Sequence, residues 1–205
     1  MNMEAAFQPR QIMGTYAPAY QPSPRPEQRH RRTIYALKIR GQRDPFLEVF
    51  NQPSPEKSCE QRESSTVSPQ VFALFNSEQT YARAIRLAKR LTDETDSKSE
   101  AMAFGFQLCY GRSPTPDELT ACLKHWTAMT KMHQGITFQK KVYPTEITRR
   151  KVEENTGEEF ESVEILDVYK EFVPDLQAVD VDVTTRGLAE VCLVLLNSNE
   201  FIYVP

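Results

Sequence analysis

The chain has 205 residues, of which 26% are charged and 40% hydrophobic, a balance that predicts a folded domain rather than a disordered chain. No apolar run approaches the roughly 20 residues that cross a bilayer, which excludes a membrane span: the longest, Leu188 to Leu196, is short and is interrupted by Glu190. Pro outnumbers Gly, 14 to 7, so irregular segments are expected to be stiff. The opening Met1-Asn2-Met3-Glu4 has neither a basic nor an apolar region of the signal-peptide kind, so no signal peptide is expected and the location stays open.

The net charge of −3 is unevenly spread. Residues 1–43 carry eight Lys/Arg against two Asp/Glu, a net of +6, while 153–182 carries eleven acids and only Lys170 as a base. Such poles suit a partner, or each other. Nucleic acid is not an expected partner, because the overall charge is negative and no nucleic-acid motif appears.

Residues 1–28 hold Pro9, Pro18, Pro22, Pro24 and Pro26 and read as an extended arm or linker without an element. From Thr33 the alternation of Tyr35, Leu37 and Ile39 with Ile34, Ala36, Lys38 and Arg40 predicts a strand. Phe46 to Phe50 reads as a second short extended piece, ended by Pro53 and Pro55.

Helices are then announced by their caps. Ser68-Pro69 starts one and Asn76-Ser77 breaks it and caps the next, where Tyr81, Ala84, Ile85, Ala88 and Leu91 share a face. Ser97 and Glu100 suit a capping box for a helix stopped at Gly111. Thr115-Pro116-Asp117-Glu118 is the clearest start, opening a stripe of Leu119, Cys122, Leu123, Trp126 and Met129 that stops near Gly135. Residues 136–182 look inserted, with Glu146–Val152 and Glu159–Leu166 flanking Asn155-Thr156-Gly157 as a hairpin of one basic and one acidic strand. A last helix, about Thr184 to Asn197, is apolar almost all round and is expected at the centre of the core.

Several stretches together carry a family likeness: Arg31-Arg32-Thr33-Ile34-Tyr35, Ser58-Cys59-Glu60-Gln61-Arg62 with Ser68-Pro69-Gln70 and Leu74-Phe75-Asn76, Gly111-Arg112-Ser113-Pro114-Thr115, and Leu195 to Phe201. Over about residues 15–205 the chain resembles the C-terminal domain, of unknown function, of planctomycete-type cytochrome-associated secreted multidomain proteins. The resemblance implies an extracytoplasmic setting, upstream domains as partners, and a truncated or split member lacking the cytochrome-like part. It supplies no reaction.

Candidate site residues each have a plain structural alternative. Arg31 and Arg32, in the run from Arg29 with Tyr35 close by, suit a phosphate or an anionic glycan, or else are solvated or paired with carboxylates. Cys59 beside Arg62 suits an activated thiol, or Arg62 pairs with a nearby glutamate and fixes the loop. Asn197, Asn199 and Glu200 follow the apolar helix and read as groups that cap its carbonyls or reach neighbouring loops, with a ligand role as the alternative. Cys122, His125 and Met129 around Trp126 read as a core stripe with a boundary His rather than a metal or haem ligand set. Asp175, Asp180 and Asp182 lack the glycine and closing glutamate of a calcium loop and read as solvated acids. No cysteine pair has C-x-x-C spacing, and Cys109, Cys122 and Cys192 read as small core side chains.

The expectation is an α+β fold, predominantly an α-helical bundle with a small β-sheet and an inserted β-hairpin. It has a 1–28 arm and one domain over 29–205, with the hairpin and acidic segment at 136–182. The expected function is a non-catalytic docking domain with no cofactor on this chain. The rivals are a carbohydrate- or polyanion-binding module, and part of a composite redox site completed by absent upstream domains.

Overall fold

The computed structural model describes residues 10–12, 15–17, 23–35, 45–54, 58–59 and 68–203. The fold is α+β and mostly helical, as the caps and stripes predict, with two small two-stranded antiparallel sheets among the described residues. The chain divides into two compact units, 1–42 with 141–175 and 43–140 with 176–205.

In the first unit, the proline-rich stretch is not devoid of structure. Strands β1 (Arg10–Ile12) and β2 (Thr15–Ala17) pair in the proline-free interval between Pro9 and Pro18. Helix α1 (Pro26–Arg29) starts on a proline, whose fixed φ suits a first helical position. The strand expected from Thr33 is absent at its start. Thr33–Tyr35 is a 3-10 turn, closed by the Tyr35 N–H donating to the Arg32 carbonyl at 2.9 Å. The first residues of an alternation are compatible with either conformation, and this local bond decides it here. Residues 36–40 of that expected strand lie outside the described residues.

Strands β3 (Glu146–Val152) and β4 (Glu159–Ile165) form the expected hairpin, with Arg150 opposite Glu161. Gly157 takes the left-handed conformation the turn needs, at φ 75°. Glu153 accepts from the Thr156 N–H at 2.6 Å and from Asn155 at 3.0 Å, and these bonds, Thr156 first, hold its carboxyl below the usual range. Opposite charges do meet across the strands. Arg149 Nε reaches Glu164 at 2.6 Å in a mostly buried pair, and Arg150 reaches Glu161 at 3.4 Å in an exposed one. Beyond the hairpin, Leu166 is fully buried, and Tyr143, Tyr169 and Phe172 form an aromatic cluster with ring centroids 4.6–5.5 Å apart.

In the second unit, Phe46 to Phe50 is helical and not extended. Helix α2 (Pro45–Val49) begins on Pro45, and the Phe46 and Phe50 rings sit 5.2 Å apart, one helical turn from each other. Reading these five residues as extended overlooks that an Asp-Pro pair, here Asp44-Pro45, is also a helix-start signal. Helix α3 (Ser68–Asn76) begins at Ser68, and the next helices follow their caps: α4 (Glu78–Glu94), α5 (Lys98–Tyr110) and α6 (Pro116–His133). Ser77 and Ser97 accept from N–H groups three residues on. Thr115 and Glu118 form the reciprocal capping box, worth about 1 kcal/mol for such a cap. Gly111 closes α5 at φ 72°.

Helix α7 (Val183–Leu196) is the central one, packed against α4 and α6 and also touching α5. Leu188, Val191, Cys192 and Leu195 meet a core of Ile85, Leu91, Met102, Phe106 and Trp126. Gly187 is required by this packing. A Cβ there would lie 2.2 Å from Thr130 Oγ1 and 2.7 Å from the Thr130 backbone nitrogen, so α6 and α7 cross in near backbone contact. Trp126 Nε1 donates to the Thr184 carbonyl at 2.8 Å at the same crossing. A short helix, α8 (Asn199–Ile202), ends the described chain.

Candidate functional site

The basic run near the N-terminus is split by the fold into two pairs with different fates. Arg29, with 6% of its side chain exposed, donates to the carbonyls of Ser23, Pro24 and Val173 and to Asp175 Oδ1, all within 3.0 Å. Its guanidinium lies 4.4 Å from the Phe172 ring centroid, and His30 Nε2 meets the same Asp175 oxygen at 2.9 Å. These two groups tie residues 23–30 to 172–175. Arg31 and Arg32 are exposed instead, and among the described residues neither forms an ion pair. Arg31 sits over the Tyr35 ring at 5.5 Å.

Cys59 is exposed, while Arg62 lies outside the described residues, so their pairing stays a sequence expectation. Cys192 is buried, and Cys109 and Cys122 are half-buried. Burial pushes all three thiols up, away from the reactive thiolate form.

The three residues after the apolar helix take separate places. Asn197 caps α7, its Nδ2 donating to the Leu193 carbonyl at 2.7 Å. Asn199 opens α8 and is exposed. Glu200 is gripped by Arg112, Nε and Nη2 of which donate to its two carboxylate oxygens at 2.7 and 2.8 Å. The same guanidinium donates to both oxygens of Glu118, at 2.9 and 2.7 Å. Arg112 thus joins the start of α6 to α8. Its bonds hold the Glu118 carboxyl down to about 2 and draw Glu200 down as well. The motif Gly111-Arg112-Ser113-Pro114-Thr115 is explained by this: a left-handed helix stop, a double-carboxylate clamp and a helix start in five residues.

The three aspartates go to three different tasks. Asp175 holds Arg29 and His30. Asp180 accepts from Lys140 and the Gln177 N–H. Asp182 caps α7 through the Thr184 and Thr185 N–H groups and the Thr185 hydroxyl. Among the described residues no group of three or more His, Cys, Asp or Glu could hold a metal ion.

Sequence reasoning missed a buried polar cluster in the helical unit. Glu190 Oε1, on α7, accepts from the Tyr81 hydroxyl of α4 at 3.2 Å and lies 3.0 Å from His133 Nε2 of α6. The His133 side chain is 4% exposed, and Phe138 stacks on its ring with centroids 5.6 Å apart. The Arg186 guanidinium covers the other partner of that stack, 5.1 Å from the Phe138 centroid. Burial, then the Glu190 charge, pushes the Tyr81 phenol well up, so it stays protonated as a donor. The sequence carries a signal for it: Glu190 is the one acid inside an apolar helix, and a half-buried carboxylate needs partners. Their identities, 57 and 109 positions away in sequence, were beyond reach. The arrangement brings two hydrogen-bonding groups onto one carboxylate oxygen and so ties α4, α6 and α7 together.

Two kinds of observation now place the chain. It is a helix-dominated α+β chain whose best-ordered polar contacts join elements, and among the described residues no helix is long and apolar enough to cross a membrane. It belongs to the PSD1 family, proteins of unknown function (DUF1553), whose model matches residues 3–126, more than half of the chain. The match takes in the arginine run, the Cys59 motif and the Arg112–Glu118 half of the clamp, and ends at Trp126, ahead of the hairpin, α7 and Glu200. No curated protein and no solved structure matches the chain significantly.

Proposed function

We propose that the chain is a non-catalytic docking module of a larger protein of the planctomycete-type, cytochrome-associated, extracytoplasmic kind. Its partners are domains that lie upstream in such proteins, and it carries no haem or metal of its own. One observation carries this reading: three large apolar side chains stand exposed on the outward face of the β3–β4 hairpin. Val163 and Ile165 are 62% and 58% exposed and Val152 is 51% exposed, on a face they share with Glu146, Thr148, Arg150, Glu159 and Glu161. Apolar side chains exposed among charged ones suit a partner that covers them. In the helical unit, Val71 and Phe72 of α3 are exposed as well. The polar clusters support the reading from the other side, because their strongest contacts are made within the chain.

The test mixes the full chain with the upstream portion of a longer family member and follows association by calorimetry. Association is expected, and the double variant Val163→Ser/Ile165→Ser is expected to weaken it about tenfold or more while changing stability by no more than about 0.5 kcal/mol, as for other surface positions. A monomeric chain that ignores the upstream portion would overturn the reading. A Soret band on haem titration, or stoichiometric metal by elemental analysis, would overturn the cofactor part.

A further inference from the structure

Arg31, Arg32, Ile34 and Tyr35 share five residues of chain and are all exposed. Their backbone is well anchored. Arg29, the residue before His30, holds four acceptors and a ring, and the 3-10 turn closes on the Arg32 carbonyl. The side chains are therefore displayed from a pinned stretch. Ile34 is 68% and Tyr35 57% exposed. Two adjacent guanidinium groups without ion pairs among the described residues repel one another. The contrast is with Arg29 and His30, which share Asp175: among the described residues, carboxylates pair one half of the run and leave the other.

We propose that Arg31, Arg32, Ile34 and Tyr35 form a docking face for an acidic protein segment that carries aliphatic or aromatic side chains among its carboxylates. This deepens the docking reading and rests on it for the existence of a partner. Charge complementarity fixes the sign of that partner: two forks of N–H donors accept carboxylates in bidentate fashion. Arg and Tyr are side chains enriched where binding energy concentrates, and the Tyr35 ring under Arg31 pre-orients the guanidinium. Ile34 separates a protein partner from an anionic glycan. A sulfated sugar gains from the arginines and the ring, but has nothing to bury against an exposed isoleucine, whereas a peptide side chain does.

The probe is a labelled twelve-residue peptide alternating Glu with Leu and Tyr, titrated with the full chain by fluorescence anisotropy at low and high salt, beside a heparin oligosaccharide. Wild type is expected to bind the peptide, more weakly at high salt. The variant R31E/R32E is expected to lose about tenfold or more in affinity, and Ile34→Ser to lose affinity for the peptide but not for heparin. All variants should keep the wild-type melting profile, because these side chains hold no other element. Equal peptide binding by wild type and R31E/R32E, no peptide binding by wild type, or binding of heparin alone would overturn the proposal. The same variants distinguish it from the docking reading. If R31E/R32E binds the upstream portion as well as wild type does, docking stands and this face falls. If wild type binds the peptide through these residues but ignores the upstream portion, the face stands and the docking reading falls.

Discussion

In the helical unit, side chains from α4, α5, α6 and α7 meet in one apolar core, and polar contacts such as Tyr81–Glu190–His133 lie between helices already packed. In the hairpin unit, the described residues bury one apolar side chain completely, Leu166. Order there comes from Arg29 clasping four acceptors, from the Tyr143–Tyr169–Phe172 rings and from cross-strand ion pairs. The difference teaches how each unit would fail. Both units leave large apolar side chains exposed, Val71 and Phe72 in the helical one and Val163, Ile165, Ile34 and Tyr35 in the other, but only the hairpin unit hangs on a few specific clasps. Apolar burial scales with area and is forgiving of detail. A single clasp is geometrically exacting and is lost with one residue.

The comparison is tested most severely at α7. Leu188→Ala or Leu195→Ala is expected to cost about 2–5 kcal/mol, the range for a buried leucine, because both are almost wholly buried on the helix that every large neighbour packs against. Chemical denaturation checks this. A midpoint unchanged in both variants would mean that the helical unit does not depend on its core.

Gly187→Ala is expected to cost about 1–3 kcal/mol through overpacking, even though alanine is the better helix former by about 1 kcal/mol. The new methyl meets the Thr130 backbone as well as its hydroxyl. Pairing it with Thr130→Ala therefore should not restore stability, since the backbone nitrogen and Cα remain in the way. Full rescue would show that only the side chain was in conflict.

Glu190→Leu strips the acceptor from Tyr81 and His133 and is expected to cost about 1–3 kcal/mol, the cost of a buried polar group left unsatisfied. The same change in a Tyr81→Phe/His133→Leu background should cost less, because no orphaned donor is left behind. Equal costs in both backgrounds would mean that the cluster is not coupled.

Much of the helical unit is legible in the sequence because its signals are local. Ser77, Ser97, Thr115 and Gly111 cap helices where their chemistry says they should, and the hairpin boundaries follow from Asn155-Thr156-Gly157 and the charge pattern. The short elements are not legible. At Phe46–Phe50 the run is too short to separate strand from helix, and a proline decides; at Thr33–Tyr35, where an alternation begins, one backbone hydrogen bond decides. The polar sites divide in the same way. Glu200 stands out in the sequence for its place after the helix, but its partner Arg112 is 88 positions away, and no spacing rule joins them. Arg31 and Arg32 stand out in the sequence together with Arg29, and only the fold separates the engaged arginine from the exposed ones.

The smallest expected effect concerns the Arg112 clamp, where the helical unit uses an ionic clasp of the kind that dominates the other unit. Arg112 holds the Glu118 carboxyl at about 2 in the folded chain, against an ordinary value of 4.5. A carboxyl lowered on folding contributes stability that is fully present above its unfolded value and is lost as pH falls toward its folded value. The contribution of this pair should therefore hold above pH 4.5 and fade between there and about pH 2. Its size is small, because both side chains are more than a third exposed or close to it, and water screens such pairs. Arg112→Gln removes both double contacts. Carbon-detected titration of Glu118 should then move upward toward the ordinary carboxylate range, and melting curves between pH 2 and 5 should lose part of their acid slope relative to wild type. The Thr115 N–H still donates to Glu118, so the return should be partial. A titration midpoint that stays near 2 in Arg112→Gln would assign the shift to the helix start instead of the clamp.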